Sequence, residues 1–236
     1  LRPDPKKKSK NSISKIYINT KKFSGITLGV ALDNAFGFYY PDDIEKIRNY
    51  GVSVKFFNTL LDKKLPNVDA LFIGGGFPET VASKISKNKS LMNDIHAFID
   101  DGRPVYAECG GLMYLCKNIN YQKSNYPMVG IIDAKINMFA KPIGRGYVVL
   151  NCTNNHLWPI SKKNINAHEF HYSDIKFAKK KYKFAYNVKR GHGINGKSDG
   201  LLYKNLIATY SHMRDTRQSL WIKNFLTFIF NQRNNE

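Results

Sequence analysis

The sequence predicts an α/β fold: an open, mostly parallel sheet with helices on both faces, and a mixed or antiparallel extension in the C-terminal half. Three observations predict it. Short apolar runs alternate with amphipathic segments at close spacing in the first half of the chain. A buried-looking strand runs into a cysteine and two glycines and then into a helical run, at residues 103–116. From about residue 126 the pieces turn strand-like, with few helical signals between them.

Each element follows in order. Residues 1–24 are polar and lysine-rich without apolar periodicity and read as a linker, so order is expected from residue 25 to 236. Ile26–Leu32 is an apolar run suited to a buried parallel strand. Pro41-Asp42-Asp43 opens a helix, with proline in the first turn and acids at the positive dipole end. Ile44, Ile47 and Tyr50 give that helix its apolar face, and Gly51 stops it. Strands follow at 52–57 and 68–73, the second running into Gly74-Gly75-Gly76. Residues 88–101 form an amphipathic helix on Leu91, Ile95, Phe98 and Ile99, and a strand at 103–107 comes next. Further strands are expected at 128–139, 144–150, 165–171, 184–190 and 206–210. A closing helix spans about 217–231, with Leu220, Trp221, Phe225, Phe228 and Ile229 on its apolar side.

The chain has 236 residues and is 42% hydrophobic, enough to bury a core. No apolar run approaches ~18 residues, so no transmembrane helix and no membrane partner is expected. The basic start has no apolar core after it and is not a secretory signal. Leucine stands first instead of methionine, which implies a fragment or processed product with sequence before it. Three cysteines without a CxxC pair argue against a disulfide framework or a zinc site and fit a reducing cytoplasm. The net charge of +19 comes with basic clusters at 6–10, 162–163 and 179–183 but no arginine–aromatic stripe, so nucleic acid is not expected as a partner.

The chemistry centres on Ala107-Glu108-Cys109-Gly110-Gly111, followed by the helical run Leu112–Cys116. A cysteine between a strand and a helix projects from a strained elbow beside the positive helix end, where its thiolate is favoured and open to attack. A small buried cysteine is the plainer alternative. Cys109 needs a base, and His212, just past the strand at 206–210, lies where open α/β sheets collect catalytic groups. Gly75 and Gly76 end another strand and, with the amide of Gly110, offer N–H groups for an oxyanion hole and for the close approach of a ligand; a simple strand-to-helix turn is the alternative.

These residues resemble the class I (triad-type) glutamine amidotransferase domain of cobyrinic acid a,c-diamide synthases, a flavodoxin-like fold, from about residue 26 to 230. Five motifs in the family's order carry the resemblance: Ala31–Phe36 with Phe38-Tyr39-Tyr40, Gly74–Glu79, Ala107–Leu115, His168–Ser173, and Tyr210-Ser211-His212. The resemblance implies that Cys109 attacks the glutamine side-chain amide, releasing ammonia through a glutamyl thioester, and that His212 raises its nucleophilicity. It implies no cofactor in this chain. ATP and Mg2+ belong to a missing N-terminal synthetase domain, the partner that amidates the a- and c-acetate carboxylates of a tetrapyrrole polycarboxylate in cobalamin biosynthesis. A homo-oligomer is compatible with the sequence. The glutaminase half of cobyric acid synthase, or of a sirohydrochlorin or nickel-sirohydrochlorin diamide synthase, is an alternative. So is an inactive amidotransferase-like module that binds a partner. A cysteine hydrolase of the intracellular-protease-like superfamily fits less well, because Gly110 stands where that superfamily usually carries histidine.

The chain departs from the family at several points. Where many triad enzymes place a glutamate two residues after the histidine, Arg214 stands, and Asp215 is one residue off, so the group orienting His212 is unnamed. Ala167 and Phe77 replace the usual glycine and tyrosine. Gly191–Ser198 spells G-x-x-x-x-G-K-S, but Asp199-Gly200 signals a turn directly after it, so a hairpin is expected in place of a phosphate loop. His168 and His171 are three apart on a strand and face opposite ways, which disfavours a metal site. Cys116 and Cys152 read as packing residues.

Overall fold

A computed structural model describes residues 22–159, 164–179 and 181–234. Most of the predicted linker, the basic residues 6–10 and 162–163, and Lys180 lie outside these. Phe23, assigned to the linker by the sequence, is instead fully buried, edge-on to Tyr50 and Phe230. Its apolar ring, embedded in a polar stretch, outweighs the composition around it.

The first half alternates strand and helix as predicted. Strand β1 (Thr27–Ala31) is followed by β2 (Phe36–Phe38), helix α1 (Pro41–Asn49), β3 (Ser53–Phe57), β4 (Ala70–Ile73) and β5 (Gly75–Gly76). A short helix α2 (Ala82–Ile85) leads into α3 (Lys89–Asp100), β6 (Val105–Glu108) and α4 (Gly110–Leu115). Along β4 and β6 the side chains alternate between two cores: Leu71, Ile73, Val105 and Ala107 meet α3 and α4 on one face, while Ala70, Phe72 and Tyr106 meet α1 and the C-terminal helix on the other.

The second half is β-rich: β7 (Cys116–Tyr121), β8 (Ser124–Pro127), β9 (Ile132–Met138), β10 (Gly144–Cys152), β11 (Asn164–His171), β12 (Ser173–Phe177), β13 (Lys183–Arg190), β14 (Ser198–Tyr203) and β15 (Leu206–Thr209), closed by α5 (Trp221–Asn234). Among the described residues one nine-stranded sheet runs β11-β10-β13-β14-β15-β6-β4-β1-β3. Its β3-β1-β4-β6-β15 part is parallel and the remaining pairs are antiparallel, which is the predicted extension. A second sheet, β12-β9-β7-β8, packs into the same core as α3 and α4.

Four local expectations are corrected. The helix after the elbow stops at Leu115, and Cys116 opens β7, because Cys116 and Ile119 bury while Lys117 and the intervening asparagine stay outside. The β7–β8 hairpin has no counterpart among the sequence expectations; its turn is Gln122-Lys123, both at positive φ, a two-residue geometry that follows strand twist without needing glycine. The closing helix begins at Trp221, and Leu220 lies before it at φ +48°. Asp215 accepts the Ile222 N–H at 3.1 Å and so caps the helix start, which leaves 216–219 in a turn.

The fourth correction concerns Asp199-Gly200, which lies inside β14 instead of forming a turn. Asp199 is fully buried and accepts from the Tyr210 and Ser211 amides at 2.9 and 3.0 Å and from the Ser211 hydroxyl at 2.6 Å. One carboxylate thereby sets the path of the segment that ends in His212. Asp199→Ala would leave these three buried donors, and the Gly200 amide that donates at 2.8 Å, without their acceptor, each worth roughly 1–3 kcal/mol. We expect a loss of about 3–5 kcal/mol in urea unfolding.

Candidate active site

The predicted site residues converge at the C-terminal ends of the parallel strands. Cys109 follows β6 at φ +47° and ψ −100°, a conformation non-glycine residues rarely adopt. Three backbone hydrogen bonds fix it: the Cys109 N–H donates to the Thr209 carbonyl at 2.7 Å, the Met113 N–H to the Cys109 carbonyl at 3.0 Å, and the neighbouring Gly111 N–H to the Gly74 carbonyl at 3.1 Å. The predicted elbow is therefore present. Its thiol is only 6% exposed and forms part of the wall of a cavity of about 240 Å³. That cavity is lined by Tyr39, Tyr40, Gly76, His168 and Met213 among others, with Phe38, Phe77 and Phe170 exposed as well.

His212 follows β15 and lines the same cavity as Cys109. Its Nδ1 is 3.6 Å from Glu108 Oε2. Burial pulls the imidazole pKa down, but the Cys109 thiolate and the Glu108 carboxylate beside it prevail, and the pKa rises to about 10. The folded chain thus holds a proton that the unfolded chain releases near 6.5. The stability this supplies is full below pH 6.5 and is lost as pH rises toward 10. Asp43 titrates in a lower window: burial foremost raises its carboxyl to about 6, so the folded state disfavours its ionisation between roughly pH 4 and 6. Urea midpoints are expected to fall from pH 6.5 to 10, and His212→Ala is expected to flatten that slope.

Gly110 and the β5 glycines also meet. A Cβ on Gly110 would lie 2.8 Å from the Gly76 carbonyl oxygen and 3.0 Å from its nitrogen, and one on Gly75 would lie 2.4 Å from His212 Cε1. Only residues without a side chain allow this approach, which brings Gly110 against Gly76 and Gly75 against His212.

The His168–Ser173 motif forms the facing wall. His168 and His212 exchange both backbone N–H···O bonds, at 3.2 and 2.7 Å, and their rings stack at 4.8 Å. Cys109 Sγ lies 3.8 Å from the Phe170 carbonyl. His171 points the other way, stacked on Tyr210 at 3.9 Å, as the spacing predicts. No group of three metal-ligating side chains occurs among the described residues.

The Gly191–Ser198 loop is the turn of the β13–β14 hairpin, as expected. The His192 and Gly193 amides, which a phosphate cradle would need, each donate at 2.7 Å to the carboxylate of Glu169. The loop does not fit ATP. Cys116 is buried with Sγ 3.3 Å from the Leu112 carbonyl, the packing residue that the sequence predicts. Arg214 turns to Asp42 and Tyr40, and Asp215 pairs with Lys46, so neither reaches His212. Sequence reasoning gives no role to Glu108, although it stands inside the cysteine motif. Its strand parity is the signal: it shares the buried face of β6 with Tyr106, and a buried carboxylate requires partners.

Comparisons with known proteins agree with this geometry. A family model described as the CobB/CobQ-like glutamine amidotransferase domain matches residues 27–218. The cobyrinate a,c-diamide synthase of Magnetococcus marinus is 38% identical over 208 residues, covering 88% of this chain and 44% of that protein. Its counterpart in Archaeoglobus fulgidus is 42% identical over 188 residues, covering 80% and 41%. The chain thus spans less than half the length of these relatives. Among solved structures, PurLQS of Thermotoga maritima superposes with a TM-score of 0.61 at 16% identity, covering 88% of this chain and 99% of that one. A glutamine amidotransferase of Thermotoga maritima gives 0.56 at 12% identity, covering 88% and 85%. Both likenesses concern the fold. With most of its length matched and the cysteine, histidine and glycine segments assembled in one cavity, the chain belongs to the CobB/CobQ-like glutamine amidotransferase family.

Proposed function

We propose that this chain is the glutaminase part of an ATP-dependent cobyrinate a,c-diamide synthase. The carrying observation is that Cys109, on its strained elbow, and His212, backed by the Glu108 carboxylate at 3.6 Å, line one cavity. An imidazolium–thiolate pair is the form that attacks an amide without a separate deprotonation step.

In this reading the Cys109 thiolate adds to the side-chain amide carbon of L-glutamine. The resulting oxyanion is met by backbone N–H groups of the Gly75-Gly76 and Gly110 segments. His212 gives its proton to the leaving nitrogen, the C–N bond breaks, and ammonia departs from a glutamyl thioester. Neutral His212 then takes a proton from water, which attacks the thioester, and glutamate leaves with the thiolate restored. The proton that His212 loses to ammonia in the first half-reaction is regained from water in the second, so the cycle balances over the two.

The relatives' name, cobyrinate a,c-diamide synthase, supports an acceptor that is a tetrapyrrole polycarboxylate, whose a- and c-acetate groups would receive the ammonia; ATP and Mg2+ would act in an N-terminal synthetase part. Residues 1–24 would then link that part to the amidotransferase domain from residue 25 onward, and we infer a cytoplasmic protein. No helix among the described residues is long and apolar enough to cross a membrane. The test is direct. Glutamate and ammonia are measured after incubation with L-glutamine, for the chain alone and with the N-terminal part of a full-length relative supplied. Glutamine-dependent ammonia release in either arm supports the reading, and its absence from both overturns it.

A further inference from the structure

We propose that Glu108, the residue directly before the nucleophile, is the positioning acid for His212, in place of the glutamate that many triad enzymes carry two residues after the histidine. The proposal rests on the glutaminase reading of the same site. Its geometry has two parts. Glu108 Oε1 is anchored, accepting the Tyr106 hydroxyl at 2.6 Å and the Met213 amide at 3.0 Å. The second of these bonds fixes the residue that follows His212. The other oxygen, Oε2, is then presented to His212 Nδ1 at 3.6 Å, with both side chains at least nine-tenths buried. This is an ion-pair distance somewhat longer than a tight hydrogen bond, in a setting where water does little to screen it.

The topology explains why this residue can serve. Glu108 ends β6 opposite Thr209 of β15, so the chain that leaves β15 passes over Glu108 before reaching His212. The usual position is disqualified here, because Arg214 is turned to Asp42 and Tyr40. Holding Nδ1 against a carboxylate selects the tautomer whose Nε2 exchanges a proton with the sulfur. The groups around His212 are Cys109 from the elbow, Glu108 from β6, His168 stacked on it from β11, and Tyr40 and Asp43 from the α1 side of the cavity. Glu108 is the carboxylate in contact with the ring; Asp43 is engaged instead by the Trp221 indole and the Asp215 amide.

The test follows alkylation of Cys109 by iodoacetamide as a function of pH, which needs no glutamine and so stands even if glutamine is not the substrate. With Cys116 buried, Cys152 is replaced by serine in all samples to isolate the signal. Glu108→Gln is expected to move the rise in reactivity upward by about one pH unit or more, a tenfold loss near neutral pH. Asp42→Asn removes an exposed carboxylate that faces Arg214 instead of His212 and is expected to keep the parent profile within about twofold. An unshifted profile in Glu108→Gln, or the same shift in Asp42→Asn, overturns the proposal. Should Glu108→Gln not fold, an NMR titration of His212 in Cys109→Ala decides. With the thiolate gone, a pKa still above the ordinary 6.5 supports Glu108. A pKa at or below it overturns the role.

Discussion

Cys109→Ala is expected to cut glutamine hydrolysis by at least about 1,000-fold, the scale at which losing a nucleophile leaves only binding and oxyanion contacts. The fold should survive, because alanine is smaller than cysteine and the three backbone hydrogen bonds that hold the elbow do not involve the side chain. A thermal midpoint near wild type together with lost turnover is the diagnostic combination. Residual activity within tenfold of wild type would place the reaction elsewhere. Cys109→Ser should behave alike, since an alkoxide is far harder to form than a thiolate at the same imidazolium.

Gly111→Ala is expected to damage both stability and activity severely. An added Cβ there would lie 2.1 Å from the Ile73 carbonyl oxygen and 3.2 Å from that of Gly74. Those are backbone atoms of β4 and its exit, so no rotamer change relieves the clash and α4 must lift from the sheet. We expect a cost of about 3 kcal/mol in urea unfolding. Because α4 begins directly after Cys109, displacement by about 1 Å should also lower kcat by roughly 100-fold. Gly37→Ala is the control: its Cβ would meet nothing closer than 3.9 Å, and a change within about 0.5 kcal/mol is expected. Equal effects at the two positions would show that the packing of α4 on β4 is not what positions the cysteine.

The fold was legible where one local signal dominated. Pro41-Asp42-Asp43 starts a helix at the position its residue types predict, and the apolar run at 68–73 becomes β4 between two cores. The elbow was legible because a cysteine followed by two glycines between strand and helix has few other conformations. What escaped detection depended on distant partners. β7 and β8 carry polar, asparagine-rich sequences and form strands because β9 pairs with β7 and β7 in turn with β8. Asp199-Gly200 looks like a turn, and only the approach of Tyr210 and Ser211 makes it part of a strand. In the site, Cys109 and His212 could be picked from residue type and position. Strand parity marks Glu108 as a buried carboxylate in need of partners, but which partner it meets comes from the parallel pairing of β6 and β15, which no local pattern records. The histidines of the His168 motif were rightly separated onto two faces, yet the contact of His168 with His212 needed the sheet to turn its edge inward.

That inward turn has a consequence for when the chemistry can exist. The two backbone bonds between His168 and His212 tie the outermost strand, β11, to the segment leaving β15, so the sheet closes like a hand over the thiol. The elbow itself leans on the same late segment, because the Cys109 N–H bonds to the Thr209 carbonyl. Nucleophile, proton carrier and opposite wall are therefore complete only together, and a chain whose β11 and β15 have come away holds none of the three in place.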